Sequence, residues 1–240
     1  RDQVDAFRID ASSRVLSALS LGFDATLSDW GTSLLAGATL VLAPGGLLSN
    51  RPKLLQFVAD RRVTHADLPP SLLAALQPDD LPSCVRTIVV GGEASRPEVL
   101  RRWARRTRVV SVYGPTEATI CCALEVVDPV TWDAPRIGKP IGGAVLEVVA
   151  GELVIRGTPV ALGYVGDPEA TETCFEAGPH GRRFLTGDLV RETPSGLVFE
   201  GRRSRRVRWN GRWLDLAVLE RTGAQVPGAR AVFATMVALP

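Results

Sequence analysis

The feature that most constrains the fold is a regular exchange, in the first half of the chain, between short apolar runs and helical periodicity. Runs such as TLVL, TIVV and VVSVY are closed by Gly, Pro or a polar residue, and amphipathic segments such as KLLQFVADRRV and RPEVLRRWARR separate them. Strands that alternate with helices form a parallel sheet with helices on both faces. The pattern therefore predicts an α/β fold whose ligands lie beyond the carboxyl ends of the strands.

Local spacing refines this picture. Residues 15–42 carry Leu and Ala at helical intervals, and ATLVLAP at their end is typical of a buried strand. The segment THADLPPSLLAAL predicts the end of a strand, a double-proline turn and a helix. Asp67, Gly91 and Tyr113 each follow or end a predicted strand, so we expect three loops to meet at one cleft.

The second half of the chain has a different pattern of apolar residues and turns. Short Val-rich segments follow Trp132, among them VLEVV, GELVIRG, RFLTGDLV and GLVFEGR, and predict a smaller antiparallel β region. The arginine-rich stretch that follows contains Trp209 and Trp213, a combination that also occurs in single-stranded nucleic-acid sites. Asn210-Gly211, however, is a type I′ turn signal, which favours a solvated β-hairpin.

Composition excludes several classes of protein. The 28 Lys and Arg residues nearly balance the 26 Asp and Glu residues, so the overall charge predicts neither a nucleic acid nor an anionic membrane as partner. No apolar run approaches the ~18 residues of a membrane span, and the first residues do not have the pattern of a signal peptide. The four cysteines contain no CxxC pair, which favours reduced thiols in a cytoplasmic protein. The first residue is not Met, so the chain can begin within a longer protein.

Eight short strings occur in one fixed order: LGFDATLSDW, GATLVLAP, VGGEA, VYGPTEATIC, IGKPIGG, GELVIRGTPVALGYVGDPEAT, RFLTGDL and GRRSRRVRWNGRWLDLAVLE. In these strings the chain resembles the adenylation domains of nonribosomal peptide synthetases, which belong to the adenylate-forming superfamily. The resemblance covers nearly the whole chain, and it implies that the family's phosphate loop precedes Arg1 and its C-terminal lysine follows Pro240. It also implies three parts: an adenylation core with the amino-acid pocket (1–135), a β-rich subdomain that completes the nucleotide site (136–202), and the start of a mobile α+β C-terminal subdomain (203–240).

The resemblance assigns nucleotide-binding roles. Thr116 and Glu117 are the expected catalytic residues, since Thr116 would bind the α-phosphate and Glu117 would hold Mg²⁺. Tyr113 would stack on adenine, and Asp188 would accept both ribose hydroxyls. The full expected ATP site is Gly91, Gly92, Glu93, Tyr113, Gly114, Thr116, Asp188 and Arg202. The alternatives are a purely structural turn at YGPTE and an aspartate that caps a turn at Asp188.

The resemblance also assigns an amino-acid pocket. Asp24 would pair with the substrate α-ammonium, the alternative being a helix N-terminal aspartate satisfied by backbone amides. Asp67 would favour a substrate side chain with an amine, a guanidinium or another donor, unless it lies at the rim in water. We expect Asp24, Glu117 and Asp188 to face one crevice. The remaining expected pocket residues are Ala25, Ser28, Val89, Gly91, Val112, Ile120 and Cys121.

The function implied is the joining of an L-amino acid to ATP, which gives aminoacyl-AMP and pyrophosphate, followed by transfer to the phosphopantetheine thiol of a peptidyl carrier protein. Small MbtH-like proteins are a further expected partner, with Ala161 and Ala170 as contacts. Ser204 stands where relatives carry a hinge aspartate, which leaves a non-catalytic binding module as one alternative. An acyl-CoA or aryl-acid ligase is another, although such relatives do not need an acid at Asp24.

Overall fold

A computed structural model describes residues 1–93, 95–178, 181–209, 212–226, 229 and 232–235. The helices are α1 Asp2–Phe7, α2 Ala25–Ala36, α3 Arg51–Asp60, α4 Pro70–Ala75, α5 Pro97–Ala104, α6 Pro168–Cys174 and α7 Leu216–Gly223. The strands of the first sheet are β1 Arg14–Ser17, β2 Thr39–Leu42, β3 His65–Asp67, β4 Thr87–Val90, β5 Arg108–Tyr113, β6 Ala123–Val126 and β7 Lys139–Pro140. The other strands are β8 Ala144–Val149, β9 Glu152–Gly157, β10 Phe175–Gly178, β11 Gly181–Thr193, β12 Gly196–Arg202, β13 Arg206–Trp209 and β14 Arg212–Asp215.

The first sheet is mostly parallel, as the alternating pattern predicts. Its strand order is β2-β1-β3-β4-β5-β6-β7, and the pairings from β2 to β5 are parallel. The last two pairings are antiparallel. The connection from β5 to β6 is the short loop 114–122, and a parallel pairing would need a longer crossover. The α/β prediction is therefore confirmed, with an antiparallel edge.

Helices cover both faces of the first sheet, which explains its uninterrupted apolar runs. Strand β4 is buried at every position. Ile88 and Val90 pack with residues of α3, α4 and α5, whereas Val89 packs on the opposite face with Phe7 and Ile9. A strand between two helical layers needs apolar residues on both sides, so it cannot alternate with polar ones.

The helical interpretation of residues 15–42 is wrong at the beginning of the segment. Residues 14–17 form the interior strand β1, in which Val15 and Leu16 point into opposite cores. A short apolar run of this kind does not distinguish a strand from a helix. The ATLVLAP segment does form a strand, but β2 lies at the sheet edge and is not buried: Leu42 is 65% exposed and only Val41 is buried.

The second sheet is antiparallel, as the Val-rich segments predict. Strands β10, β11, β9 and β8 follow one another, and β12 pairs with β11. Strands β13 and β14 pair antiparallel, as expected for a hairpin, while its turn residues Asn210 and Gly211 lie outside the described residues. The predicted division at residue 135/136 remains a prediction, and the first sheet continues to Pro140. Within the described chain, no helix combines the length and apolar character needed to cross a membrane.

Candidate active site

The loops of interest follow four strands that are neighbours in the sheet. Asp24 lies after β1, Asp67 ends β3, Gly91 follows β4 and Tyr113 ends β5. Because neighbouring parallel strands are about 4.8 Å apart, the ends of β1 and β5 are separated by roughly 14 Å across the sheet. The four loops share one edge, but they line different parts of it.

One of these parts is a cleft between the two sheets, here called the outer cleft. It has an empty volume of about 1080 Å³ and is lined from one side by the β4 and β5 loops and from the other by β11 and β12. The predicted ATP-site residues on its wall are Gly91, Gly92, Glu93, Tyr113, Gly114, Asp188 and Arg202.

Two different constraints, steric crowding and backbone conformation, require glycine at positions in the outer cleft. A Cβ on Gly91 would lie 2.5 Å from Val112 Cγ2, and a Cβ on Gly114 would lie 2.3 Å from the Ile120 carbonyl oxygen. Both residues are therefore required for the close packing of the protein's own backbone. Gly92 has a φ of 75° and open space where a Cβ would stand, so only its backbone conformation requires glycine.

Asp188 is an acid of the outer cleft that is buried and hydrogen-bonded on both oxygens. It is 3% exposed, Oδ2 accepts a 2.6 Å hydrogen bond from the Tyr113 hydroxyl, and Oδ1 accepts a 2.8 Å bond from Arg202 Nε. Burial, together with the charge of Asp188, raises the pKa of Tyr113 well above its usual value, so the phenol keeps its proton and donates. These contacts join β5 of one sheet to β11 and β12 of the other through one carboxylate.

Glu117 lies beyond the outer cleft, in a one-turn 3₁₀ helix over Thr116–Ala118. Its Oε1 accepts a 2.5 Å hydrogen bond from the Tyr164 hydroxyl, and its carbonyl oxygen accepts a 2.8 Å bond from the Ala161 N–H. Thr116 is exposed beside it. Tyr164 was not among the residues expected from the sequence, although GELVIRGTPVALGYVGDPEAT contains it, because nothing in that string indicates which acid its hydroxyl meets.

The loop after Glu117 is strained. Thr119 has a φ of 58° and Ile120 a φ of 71°, and a β-branched residue rarely adopts this region. Ile120 and Cys121, both expected in the amino-acid pocket, line a side pocket together with Ser28, whose hydroxyl donates to Gln3 Oε1 at 2.6 Å. All four cysteines are free, and burial raises the pKa of Cys121 to about 12, so its thiol stays protonated.

A second, narrow cavity lies against the β1 and β3 side of the sheet and is here called the acidic cavity. Its polar lining residues are Ser28, Asp29, Thr32, His65 and Asp67, and its apolar ones are Phe7, Ile9, Val15, Ala66 and Val89.

Asp29 is the unexpected member of the acidic cavity. It is 6% exposed, and its Oδ2 is buried with no hydrogen-bond partner. Burial, with a further contribution from the charge of Asp67, raises the pKa of Asp29 to about 9. Burial also raises the pKa of Asp67 to about 7. Asp67 is thus partly buried against a second acid. Only the polarity of LSDW within a helix could have drawn attention to Asp29.

The expected common crevice of three acids is not what the structure shows. Asp188 lines the outer cleft, Glu117 lies one loop beyond it, and Asp24 lines neither the outer cleft nor the acidic cavity. The reason is the strand order, which places β3 between β1 and β4. Asp24 occupies the N-cap position of α2 but makes no side-chain capping hydrogen bond, so the alternative of an amide-satisfied aspartate does not describe it either.

Comparison with protein families matches residues 2–165 to the model described as AMP-binding enzyme. Among curated proteins, one of the linear gramicidin synthase polypeptides of Brevibacillus parabrevis is 39% identical over 93% of this chain, and novobiocin biosynthesis protein H of Streptomyces niveus is 35% identical over 94%. This chain spans only 3% and 40% of their respective lengths.

Among solved structures, the Vibrio cholerae adenylation domain AlmE, in complex with glycyl-adenosine-5'-phosphate, superposes with a TM-score of 0.75 at 25% identity. The match covers 97% of this chain and 48% of that one. The similarity therefore includes both sheets of the structure described above.

Proposed function

We propose, since this chain belongs to the family of AMP-binding enzymes, that it forms the central part of an enzyme that activates an L-amino acid as its aminoacyl-AMP for nonribosomal peptide synthesis. The observation that carries the proposal is Asp188, fixed between Tyr113 and Arg202 on the wall of the outer cleft. The similarity to gramicidin synthase and to an adenylation domain crystallised with an aminoacyl adenylate supports the same activity.

Asp188 retains the capacity to bind a ribose. A carboxylate has about four lone-pair positions, and Tyr113 and Arg202 each use one, on different oxygens. The remaining positions can accept two hydroxyl protons from a ribose. The open space at Gly92 and the ring of Tyr113 lie on the same wall and would take the adenine.

The reaction follows from this placement. An oxygen of the amino-acid carboxylate attacks the α-phosphorus of ATP, the bond from that phosphorus to the bridging oxygen breaks, and pyrophosphate leaves with the electron pair. Thr116 is exposed at the loop end and would donate its hydroxyl to an α-phosphate oxygen. The guanidinium of Arg202, which lines the outer cleft, would stabilise negative charge on the phosphates.

The residues present fit a Mg²⁺ ion that is held partly by the substrate. Among the described residues no group of three or more His, Cys, Asp and Glu could hold a metal ion by itself. Glu117 offers a single carboxylate whose Oε1 is oriented by Tyr164, and Mg²⁺ is commonly bound by one or two carboxylates together with phosphate oxygens. When bound, the ion would neutralise negative charge on the phosphates of ATP.

The second half-reaction is part of the same proposal. The thiol of a carrier-protein phosphopantetheine would attack the acyl carbon, and AMP would leave. The hinge would lie at Ser204, beside an ion pair between Arg203 and the largely buried Glu152 at 2.6 Å. We also propose the three-part division of the chain given above, an MbtH-like partner near Ala161 and Ala170, and a cytoplasmic location.

The test is amino-acid-dependent ATP–pyrophosphate exchange by the complete polypeptide that contains this chain. Exchange with at least one L-amino acid is expected. Glu117→Gln should lower it about 100-fold, the size of effect seen when one electrostatic contact to a transition state is removed. Tyr164→Phe should lower it about 2- to 10-fold, as expected for one net hydrogen bond.

Glu98→Gln, an exposed acid in the first turn of α5, is the matched control and should leave exchange unchanged. Calorimetry with a nonhydrolysable aminoacyl-adenylate analogue separates the alternatives. A folded protein that neither exchanges pyrophosphate nor binds the analogue would be a non-catalytic binding module. Exchange that depends on an aryl or fatty acid, and not on amino acids, would overturn the choice of substrate.

A further inference from the structure

The acidic cavity contains two carboxylates and no cation. Of the described residues that line it, none is Lys or Arg. His65 does not supply a charge, because its Nε2 must donate to the Phe7 carbonyl oxygen at 3.1 Å, which leaves Nδ1 to accept from the Thr64 hydroxyl at 2.7 Å. Burial lowers the pKa of His65 and keeps it neutral. The other titratable neighbour, Cys121, is a protonated thiol.

Carboxylates in such surroundings need a partner. An ionised, buried and unpaired acid is so unfavourable that the group takes up a proton or acquires a cation. The rest of the wall around Asp29 and Asp67 carries no positively charged side chain, and Phe7, Ile9 and Val89 contribute apolar surface to it. Asp29 Oδ2 has no hydrogen-bond partner within the protein, so it is an acceptor whose bonding capacity is unused.

The position and size of the acidic cavity restrict what that donor can be. Strand order reverses at β1 and β3, and in sheets of this topology ligands bind at the carboxyl side of that point. The free space is about enough for one water-sized group, which suits a primary ammonium and not a whole side chain. Ser28 lines both this cavity and the side pocket of Ile120 and Cys121, so the two spaces adjoin.

We infer that the acidic cavity receives the terminal ammonium of the substrate's side chain, and that Asp29 and Asp67 together are specificity-determining residues for it. The substrate class is then an α-amino acid with a primary amine at the end of its side chain. The inference rests on the proposed function, because it names the substrate of that same site. Asp29 is the new element, since the resemblance assigns no role to it.

The experiment compares substrates that differ mainly at the tip of the side chain. Pyrophosphate exchange is measured with three amines, lysine, ornithine and 2,4-diaminobutyrate, with the uncharged norleucine and glutamine, and with arginine, which carries a guanidinium. One of the three amines should exceed norleucine in kcat/KM by at least about 100-fold, because a buried acid left unpaired rejects a substrate that lacks the donor. Asp29→Asn and Asp67→Asn should each lower kcat/KM for that amine by about 30-fold. In both variants the ratio of kcat/KM for that amine to kcat/KM for norleucine should fall.

Two further measurements separate recognition from a merely structural role. Calorimetry of amine binding at pH 8 in two buffers of different ionisation enthalpy should show proton release by the wild-type protein and less release by Asp29→Asn. Asp79→Asn, an exposed acid, is the matched control and should change neither quantity. Asn has the shape of a protonated Asp, and thermal unfolding checks that each variant is folded.

The inference is overturned if norleucine, glutamine or arginine is the preferred substrate, or if both Asn variants keep the wild-type ranking. A protein that activates no amino acid and binds no adenylate analogue would instead contradict the proposed function. That result differs from active exchange with a neutral amino acid, which would remove the ammonium inference alone.

Discussion

Two buried acids, Asp188 in strand β11 and Asp29 in helix α2, differ in how their charge is balanced. Asp188 has a hydrogen-bond donor on each oxygen, one of them a guanidinium, and both donors belong to the protein. Asp29 is buried almost as deeply, but Oδ2 has no donor and the pKa is raised to about 9. The protein therefore supplies the donors that Asp188 needs, whereas Oδ2 of Asp29 must take its donor from a bound proton or from a ligand.

The largest effect is expected from removing Asp188, the acid whose two donors are both supplied by the protein. Asp188→Ala leaves the Tyr113 hydroxyl buried without its acceptor, and we expect the free energy of unfolding to fall by about 1–3 kcal/mol. ATP affinity of the complete polypeptide should fall by about 100-fold or more, since charged hydrogen bonds to the ribose disappear with it. Urea unfolding and calorimetry measure the two quantities.

Asp188→Asn keeps the size of the side chain and serves as the graded variant. It should retain part of the stability, because its amide oxygen can still accept from Tyr113, and it should still bind ATP weakly. Loss of ATP binding in Asp188→Ala with no loss of stability would show that the contacts to Tyr113 and Arg202 do not hold the two sheets together.

The second prediction concerns Asp29 and the pH dependence of the free energy of unfolding. The native pKa of Asp29 is raised from about 3.8 to about 9, so between these values the unfolded chain releases a proton that the native protein keeps. The free energy of unfolding should therefore be highest near pH 4 and fall as the pH rises toward 9. Asp67, with a pKa raised to about 7, contributes with the same sign between about pH 4 and 7.

Asp29→Asn removes the larger of these two contributions. Relative to wild type, the variant should have equal stability at pH 4 and increasing advantage at pH 7 and pH 9, measured by urea unfolding. Asp79→Asn, exposed and remote from the acidic cavity, should run parallel to wild type. If Asp29→Asn also ran parallel, the carboxyl group would not be protonated in the native state.

The smallest effect is expected at Asp128, where the pKa is shifted in the direction opposite to that of Asp29. Asp128 is exposed, its Oδ1 accepts from the N–H groups of Val130 and Thr131 at 2.8 and 2.9 Å, and these bonds lower its pKa. Its contribution is present above the unfolded pKa and is lost as the pH falls through the folded one. Asp128→Ala should lower Tm by about 1–2 °C at neutral pH, as for a lost surface cap in a chain of this size.

That difference in Tm should shrink toward pH 3, where the wild-type carboxylate is protonated as well. Circular dichroism melts at pH 3, 5 and 7 follow it. A difference that grew in acid would contradict the assigned direction of the pKa change.

Much of the outer cleft could be predicted because its residues stand in short strings at strand ends. Gly91 and Tyr113 needed only the rule that loops after parallel strands share an edge. Asp188, which lies in the antiparallel strand β11, was predicted from the string RFLTGDL that contains it. Tyr164 could not be predicted in the same way, because its contact with Glu117 spans 47 residues. The burial of Asp29 could not be predicted for a similar reason: it depends on the packing of α2 against β1, β2 and α1, and the local sequence pattern of the helix does not show these contacts.

The sequence by itself determined the alternation of strands and helices, the antiparallel texture of the second half and the positions of the strand-end acids, since periodicity and turn chemistry are local properties. Tertiary structure alone decided that β1 is an interior strand and β2 an edge strand, and that Asp67 and Asp188 line separate spaces. The physical reason is that strand order and burial depend on contacts between distant segments. A carboxylate's charge state follows from that burial, and residue spacing carries no information about it.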